Sequence, residues 1–284
     1  MSEVEQIEEN LRKLKKLGVS ETEIIKRYES KILSLKNGEL SYVFVENIKG
    51  ADVKAHGKAI IESKNLKWNY IFARFVEGAD IKAHGNVVIE SKEPERNYRF
   101  AHDIEGADIK AHGKAVIESK EPEWNWYFAD IEGADKKAHE KVVLESKEPK
   151  WNCYFANIEG ADIKAHEKVV LESKEPEWNF KFAKNVKGAN IKAHEKVVLE
   201  SKEPEWNYYF ARDVKGADVM AHGRVIIESK DSRVNDWFKE DFEDEYKILK
   251  GNNLIDNAYN FIDDALDKMI KENNEENKSM QKRS

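Results

Sequence analysis

Residues 106–128 read GADIKAHGKAVIESKEPEWNWYF, and close variants of these words recur along most of the chain. Gly-Ala-Asp or Gly-Ala-Asn begins at Gly50, Gly78, Gly106, Gly133, Gly160, Gly188 and Gly216, in steps of 28, 28, 27, 27, 28 and 28 residues. Self-similarity at such a period marks a stacked array whose single units are too small to bury their own apolar faces. The two short steps lose one residue after Ala129 and after Ala156. A deletion is absorbed most easily where a helix ends, so both places predict a helix terminus.

Each unit carries two helical patterns. Pro94, Pro122, Pro149, Pro176 and Pro204 are all the prolines of the chain, and each stands where a first helix would have its opening turn. From Trp178, the positions Phe182, Ala183 and Val186 form one apolar face. Gly188 is expected to supply the left-handed ending. The second helix is capped by the Asp of Gly-Ala-Asp, as at Asp108 or Asp162. Its apolar face reads Ile163, His166, Val169 and Val170.

The pattern fades at both edges. Leu40 takes the Trp slot and Tyr28 the His slot, so residues 20–35 read as the second helix of a degenerate opening unit, with Ser20 and Glu23 as a capping box. Residues 3–17 read as an N-terminal capping helix. Val234 to Phe238 matches the start of an eighth first helix, expected to run through the acidic segment toward Lys250. After Gly251, a further helix over 254–271 would place Ile255, Tyr259, Ile262, Leu266 and Ile270 on one face. The expected organisation is capping helices over 1–39, a repeat array over 40–239, acidic capping helices over 240–271 and a disordered tail over 272–284. The fold class is all-α: a right-handed superhelical solenoid of about seven two-helix repeats with capping helices at each end.

The formal net charge of −7 argues against a generic DNA or anionic-membrane binder. Cys153 is the only cysteine, which excludes an intrachain disulfide and fits a reducing, cytoplasmic setting. No apolar run approaches the ~20 residues that span a bilayer, and the acidic start MSEVEQIEEN does not resemble a signal peptide.

Three ladders are candidate sites. The first is His56, His84, His112, His139, His166, His194 and His222, each on the apolar face of its second helix. They read as half-buried neutral imidazoles bonded to the next unit. Neighbouring second helices stand about 8–10 Å apart, too far for these rings to share a metal ion. The second ladder is Trp68, Trp124, Trp151, Trp178 and Trp206, read as packing. The Asn that follows each of them, as at Asn125, reads as an inter-repeat bond to backbone.

The third ladder changes from copy to copy. Tyr70, Tyr98, Trp126, Cys153, Phe180 and Tyr208 are followed directly by Ile71, Arg99, Tyr127, Tyr154, Lys181 and Tyr209. These slots either pack adjacent first helices together or form an exposed aromatic and basic strip. The candidate partner-binding residues are Tyr70, Tyr98, Arg99, Trp126, Tyr127, Tyr154, Phe180, Lys181, Tyr208 and Tyr209. Aromatic and basic side chains suit protein hot spots, and an aromatic row can also stack the bases of single-stranded RNA. No phosphate loop, nucleophile elbow or metal-ligand spacing occurs, so no enzyme activity, cofactor or metal is expected.

The Gly-Ala-Asp-Ile-Lys-Ala words over roughly 40–239 resemble the short helical-hairpin repeats of the HEAT-like and leucine-rich-variant kind, as found in phage and low-GC bacterial proteins. Arg96 in the Trp slot and Lys136 in the Ile slot depart from the pattern. The resemblance implies a recognition scaffold that carries no catalytic residues. The expected function is non-enzymatic binding of a protein partner, in one version as a phage or prophage inhibitor of a host defence system. The alternative is nucleic-acid binding, chiefly single-stranded RNA.

Overall fold

The computed structural model describes residues 2–281, with side chains up to 271 apart from 252–258 and 260. The chain divides into two compact units, Met1–Ala161 and Asp162–Ser284. The first holds α1 (Glu3–Lys16), α2 (Glu21–Ser34), α3 (Gly38–Asn47), α4 (Val53–Ser63), α5 (Leu66–Phe75), α6 (Ile81–Ser91), α7 (Pro94–Asp103), α8 (Ile109–Ser119), α9 (Pro122–Ala129), α10 (Lys136–Ser146) and α11 (Pro149–Phe155). The second holds α12 (Ile163–Ser173), α13 (Pro176–Asn185), α14 (Ile191–Ser201), α15 (Pro204–Asp213), α16 (Val219–Ser229), α17 (Ser232–Asp241) and α18 (Glu243–Gln281). Among the described residues there is no strand.

Each unit is an all-α run of stacked helix pairs. In the first, α3 packs on α4, α5 on α6, α7 on α8 and α9 on α10, and helices of each kind also stack on their neighbours of the same kind. In the second, α13 packs on α14 and α15 on α16 in the same way. The core is one row per unit. Phe72, Phe100 and Phe128 are fully buried in the first, as are Phe182 and Phe210 in the second. Each such ring contributes roughly 1.5–3 kcal/mol of apolar burial.

The punctuation of the repeat has a physical basis at each point. The prolines begin their helices, where a missing N–H costs nothing. Asp108 caps α8 by accepting the Ala111 N–H at 3.0 Å. At the end of α8, the Ser119 hydroxyl donates to the Val116 carbonyl at 2.7 Å and accepts the Glu121 N–H at 3.2 Å. That serine ties the second helix of one pair to the first helix of the next.

The left-handed endings fall elsewhere than expected. The second helices close on lysines, with φ from 53° at Lys64 to 61° at Lys230. Gly188 has φ 90°, yet it lies two residues past Val186, the extended residue that ends α13. It shapes the loop into the next cap and does not close the helix itself.

The edges also differ in detail. Ser20 accepts the Glu23 N–H without a returning bond, whereas the reciprocal box forms at Ser2 and Glu5. The eighth first helix, α17, stops at Asp241 and does not run on toward Lys250. Phe242 leaves helical geometry (φ −135°, ψ 56°) and sets its ring 5.1 Å from that of Phe238. Glu243, Asp244 and Glu245 then start α18, where acidic groups meet the positive end of the helix dipole.

The helix expected over 254–271 is part of α18, which passes through Gly251 at a local cost of about 1 kcal/mol. Residues 272–281 continue that helix where a disordered tail was expected, and 282–284 lie outside the described residues. Leu249 of α18 is buried against α16, but Tyr259, Ile262, Leu266 and Ile270 are 51–64% exposed. Ile255 lies outside the described side chains.

Candidate partner-binding site

The histidines are joints of the core. Six of the seven are fully exposed to no solvent and His112 is 1% exposed, so none is half-buried. Nδ1 of His84, His112 and His139 lies 2.8 Å from Oδ1 of Asn69, Asn97 and Asn125. Each bond reaches back to the first helix of the same pair, not forward to the next unit. The asparagine orientation sets the tautomer. Asn97 spends both N–H donors on the Val88 carbonyl (3.1 Å) and the Glu93 carbonyl (2.9 Å). Its own carbonyl therefore faces His112, Nδ1 carries the ring proton, and Nε2 keeps a lone pair.

The bond from Asn97 to Val88 is the inter-repeat link expected of the asparagines. Phe100 covers the His112 ring at 4.8 Å between centroids. Burial holds His84, His112, His139 and His222 down at about 4. A ring held neutral and bonded in this way fixes helix spacing and offers no general acid or base at neutral pH.

The variable slots take several forms. The Tyr70 hydroxyl donates to Asp103 at 2.5 Å and accepts from the Arg74 guanidinium. Arg99 is exposed and pairs with Glu95 at 2.8 Å. In the second unit, Phe180 and Tyr208 are buried, and Phe180 meets Trp206 and Tyr209 at 5.9 and 6.1 Å. Tyr208 donates to Asp241 at 2.6 Å, while Tyr209 reaches Glu205 at 3.4 Å. Lys181 pairs with Glu177 at 2.5 Å and lies 4.1 Å from the centre of the Trp178 ring. Arg96 and Lys136, the two departures from the repeat, are exposed.

Four candidates converge. Tyr98 of α7, Trp126 and Tyr127 of α9 and Tyr154 of α11 line one open concavity of about 460 Å³. Their ring centres form a connected set, with Tyr98–Tyr127 at 5.5 Å, Trp126–Tyr127 at 4.5 Å and Trp126–Tyr154 at 5.3 Å. Tyr127 is 36% exposed and presents the most open of these faces. The concavity lies where the repeat is one residue short. Helices α9 and α11 have 8 and 7 residues where α7 has 10.

Asp130, Ile131, Asn157, Ile158 and Glu159, which follow the two shortened helices, complete the wall together with His102. Carboxylates thus stand beside aromatic faces, and burial pushes the Tyr98 hydroxyl upward so that it stays protonated. The arrangement can bind through ring faces, hydroxyls and carboxylates.

Sequence reading missed the junction between the aromatic slots and the two deletions, although both were visible at Ala129 and Ala156. It also missed the alternation of Gly and Glu directly after the histidines. Among the described residues, no three His, Cys, Asp or Glu side chains converge on a point that could hold a metal ion, and no helix is long and apolar enough to cross a membrane. Comparison with family models, curated proteins and solved structures finds no match to this chain.

Proposed function

We propose that this chain is a non-enzymatic scaffold that holds a protein partner on its first-helix face, with the Tyr98–Trp126–Tyr127–Tyr154 concavity as the centre of contact. One observation carries the reading: four aromatic side chains from three successive first helices share a single concave wall. Aromatic residues in a sheltered depression are the side chains that dominate protein interfaces. The carboxylates of Asp130 and Glu159 on the same wall weigh against RNA, whose phosphates they would repel. The likeness of the repeat words to HEAT-like and leucine-rich-variant arrays supports a scaffold, and their occurrence in phage proteins suits an inhibitor that acts by occupying a host protein.

The test is capture of a partner from the native host, followed by affinity measurement with Trp126→Ala and Tyr127→Ala. Loss of at least tenfold for either is expected of a hot spot. Unchanged affinity refutes the site. Tight, salt-sensitive binding of random single-stranded RNA would refute the protein reading in favour of nucleic acid.

A further inference from the structure

Three of the variable aromatics are each covered by a cation of the chain itself. The residue four places on is Arg74 after Tyr70, Lys184 after Phe180 and Arg212 after Tyr208. One helical turn apart, ring and cation share a face of the helix. The Arg74 guanidinium lies 5.7 Å from the centre of Tyr70 and the Lys184 ammonium 5.4 Å from that of Phe180. The Arg212 guanidinium lies 5.1 and 5.2 Å from the centres of Tyr208 and Tyr209. All are within the ~6 Å at which a ring face attracts a cation. A carboxylate holds each cation as well: Asp103 at 3.1 Å from Arg74, and Asp213 at 2.8 Å from Lys184 and 2.7 Å from Arg212.

In α9 and α11 the same place carries no cation: Asp130 follows Trp126 and Asn157 follows Cys153. In α7 it is His102, whose Nδ1 is already engaged by Asp103 at 2.7 Å. These are the three first helices whose aromatic side chains wall the concavity of about 460 Å³. Neither Lys nor Arg lines it, while the rings of Tyr98, Trp126, Tyr127 and Tyr154 and the carboxylates of Asp130 and Glu159 do. Asp130 and Glu159 are exposed, and neither carboxylate enters an ion pair among the described residues. Ring faces and carboxylates, the two parts of the chain's internal cation sites, are both present here without the cation. Glu46 takes the same place after Tyr42, but that concavity is lined by Lys49 of the chain itself.

We propose that the aromatic concavity receives an arginine side chain of the protein partner, its guanidinium laid against the rings and its N–H groups donated to Asp130 and Glu159. The proposal rests on the preceding reading of this concavity as the contact site and adds the chemistry of the group that enters it. Arginine suits the wall better than lysine, because a planar guanidinium stacks on a ring while its N–H groups stay free to donate in their own plane. Two of the three internal cations are arginines for the same reason. An acidic side chain would be repelled by the two carboxylates, and a neutral one would leave them unmatched.

The experiment titrates the full chain, with ¹⁵N-labelled tryptophan, against the blocked tripeptide acetyl-Ala-Arg-Ala-amide, with the corresponding Lys, Gln and Glu tripeptides as comparators. The arginine peptide is expected to shift the Trp126 indole resonance. Those of Trp178 and Trp237, whose rings already carry Lys181 at 4.1 Å and Arg233 at 4.7 Å, should stay in place. The lysine peptide should bind severalfold more weakly, and the glutamine and glutamate peptides should cause no shift. Asp130→Asn with Glu159→Gln, at exposed positions, should weaken binding about fivefold or more. Asp130→Arg puts a cation of the chain itself in the register of Arg74 and Arg212 and should abolish binding by filling the concavity.

An arginine peptide that leaves Trp126 unmoved, or moves it no further than the lysine or glutamine peptide does, overturns the proposal. So does binding that survives both sets of substitutions unchanged. These shifts are read without the partner, so their absence refutes the arginine assignment and leaves the contact site standing. A partner affinity unchanged by Trp126→Ala and Tyr127→Ala instead refutes the contact site, and with it the partner as the source of the arginine.

Discussion

Mild acid should dismantle the first unit well before its carboxylates titrate. Its histidines His84, His112 and His139 ordinarily titrate near 6.5, and burial in the fold lowers them to about 4. The unfolded chain therefore takes up three protons on acidification that the folded unit refuses. Stability from these rings is complete above about pH 6.5, is lost as pH falls from there to about 4, and is flat below. At about pH 5 each ring disfavours the folded state by about 2 kcal/mol, and the three together by about 6 kcal/mol if the unit unfolds as one. That is comparable to the whole stability of many domains, about 5–15 kcal/mol.

Urea titrations at about pH 7.5, 6 and 5, followed by tryptophan fluorescence and far-ultraviolet circular dichroism, would measure the effect. Histidine ring resonances would give the midpoints directly. His112→Gln should lower stability at neutral pH and reduce the pH slope by one proton. A urea midpoint that does not move between about pH 7.5 and 5, or rings that titrate near 6.5, would refute the assignment of these histidines to a dry core.

Three further outcomes follow from single contacts. Ser41 stands where later repeats have the bridging asparagine, and both its Oγ and His56 Nδ1 are buried without hydrogen-bond partners. Ser41→Asn should complete the bridge and raise the urea stability of the first unit by about 1–2 kcal/mol. Asn97→Ala removes two donors and leaves His112 Nδ1 unpaired, for an expected loss of about 3 kcal/mol or more in the same titration. Lys120 holds φ 60° at the end of α8. Lys120→Gly should stabilise by about 1 kcal/mol in thermal melts, while Lys120→Val should destabilise by a similar amount or more.

The period, the proline starts, the aspartate caps and the apolar faces were legible because they are local. A Pro at a first turn or an Asp three residues before an Ala, as Asp108 stands before Ala111, acts over four residues, and repetition multiplies the signal. The breaks were less legible. Gly251 reads as a stop on its own, yet α18 runs through it because one glycine costs only about 1 kcal/mol in a long helix. Phe242 gives little sign of a break, but its ring is drawn to Phe238 and the chain turns there.

The histidine shows the division most plainly. Sequence placed it on the core face of its helix. It could not supply the partner of each ring nitrogen, because Asn97 meets His112 across 15 residues and Gly85 meets the same ring from an earlier helix. Nor could it show that Tyr98, Trp126, Tyr127 and Tyr154 share one wall beside the two shortened helices. Helix periodicity tells which face a side chain occupies. Only the stacking of one pair on the next decides what that face meets.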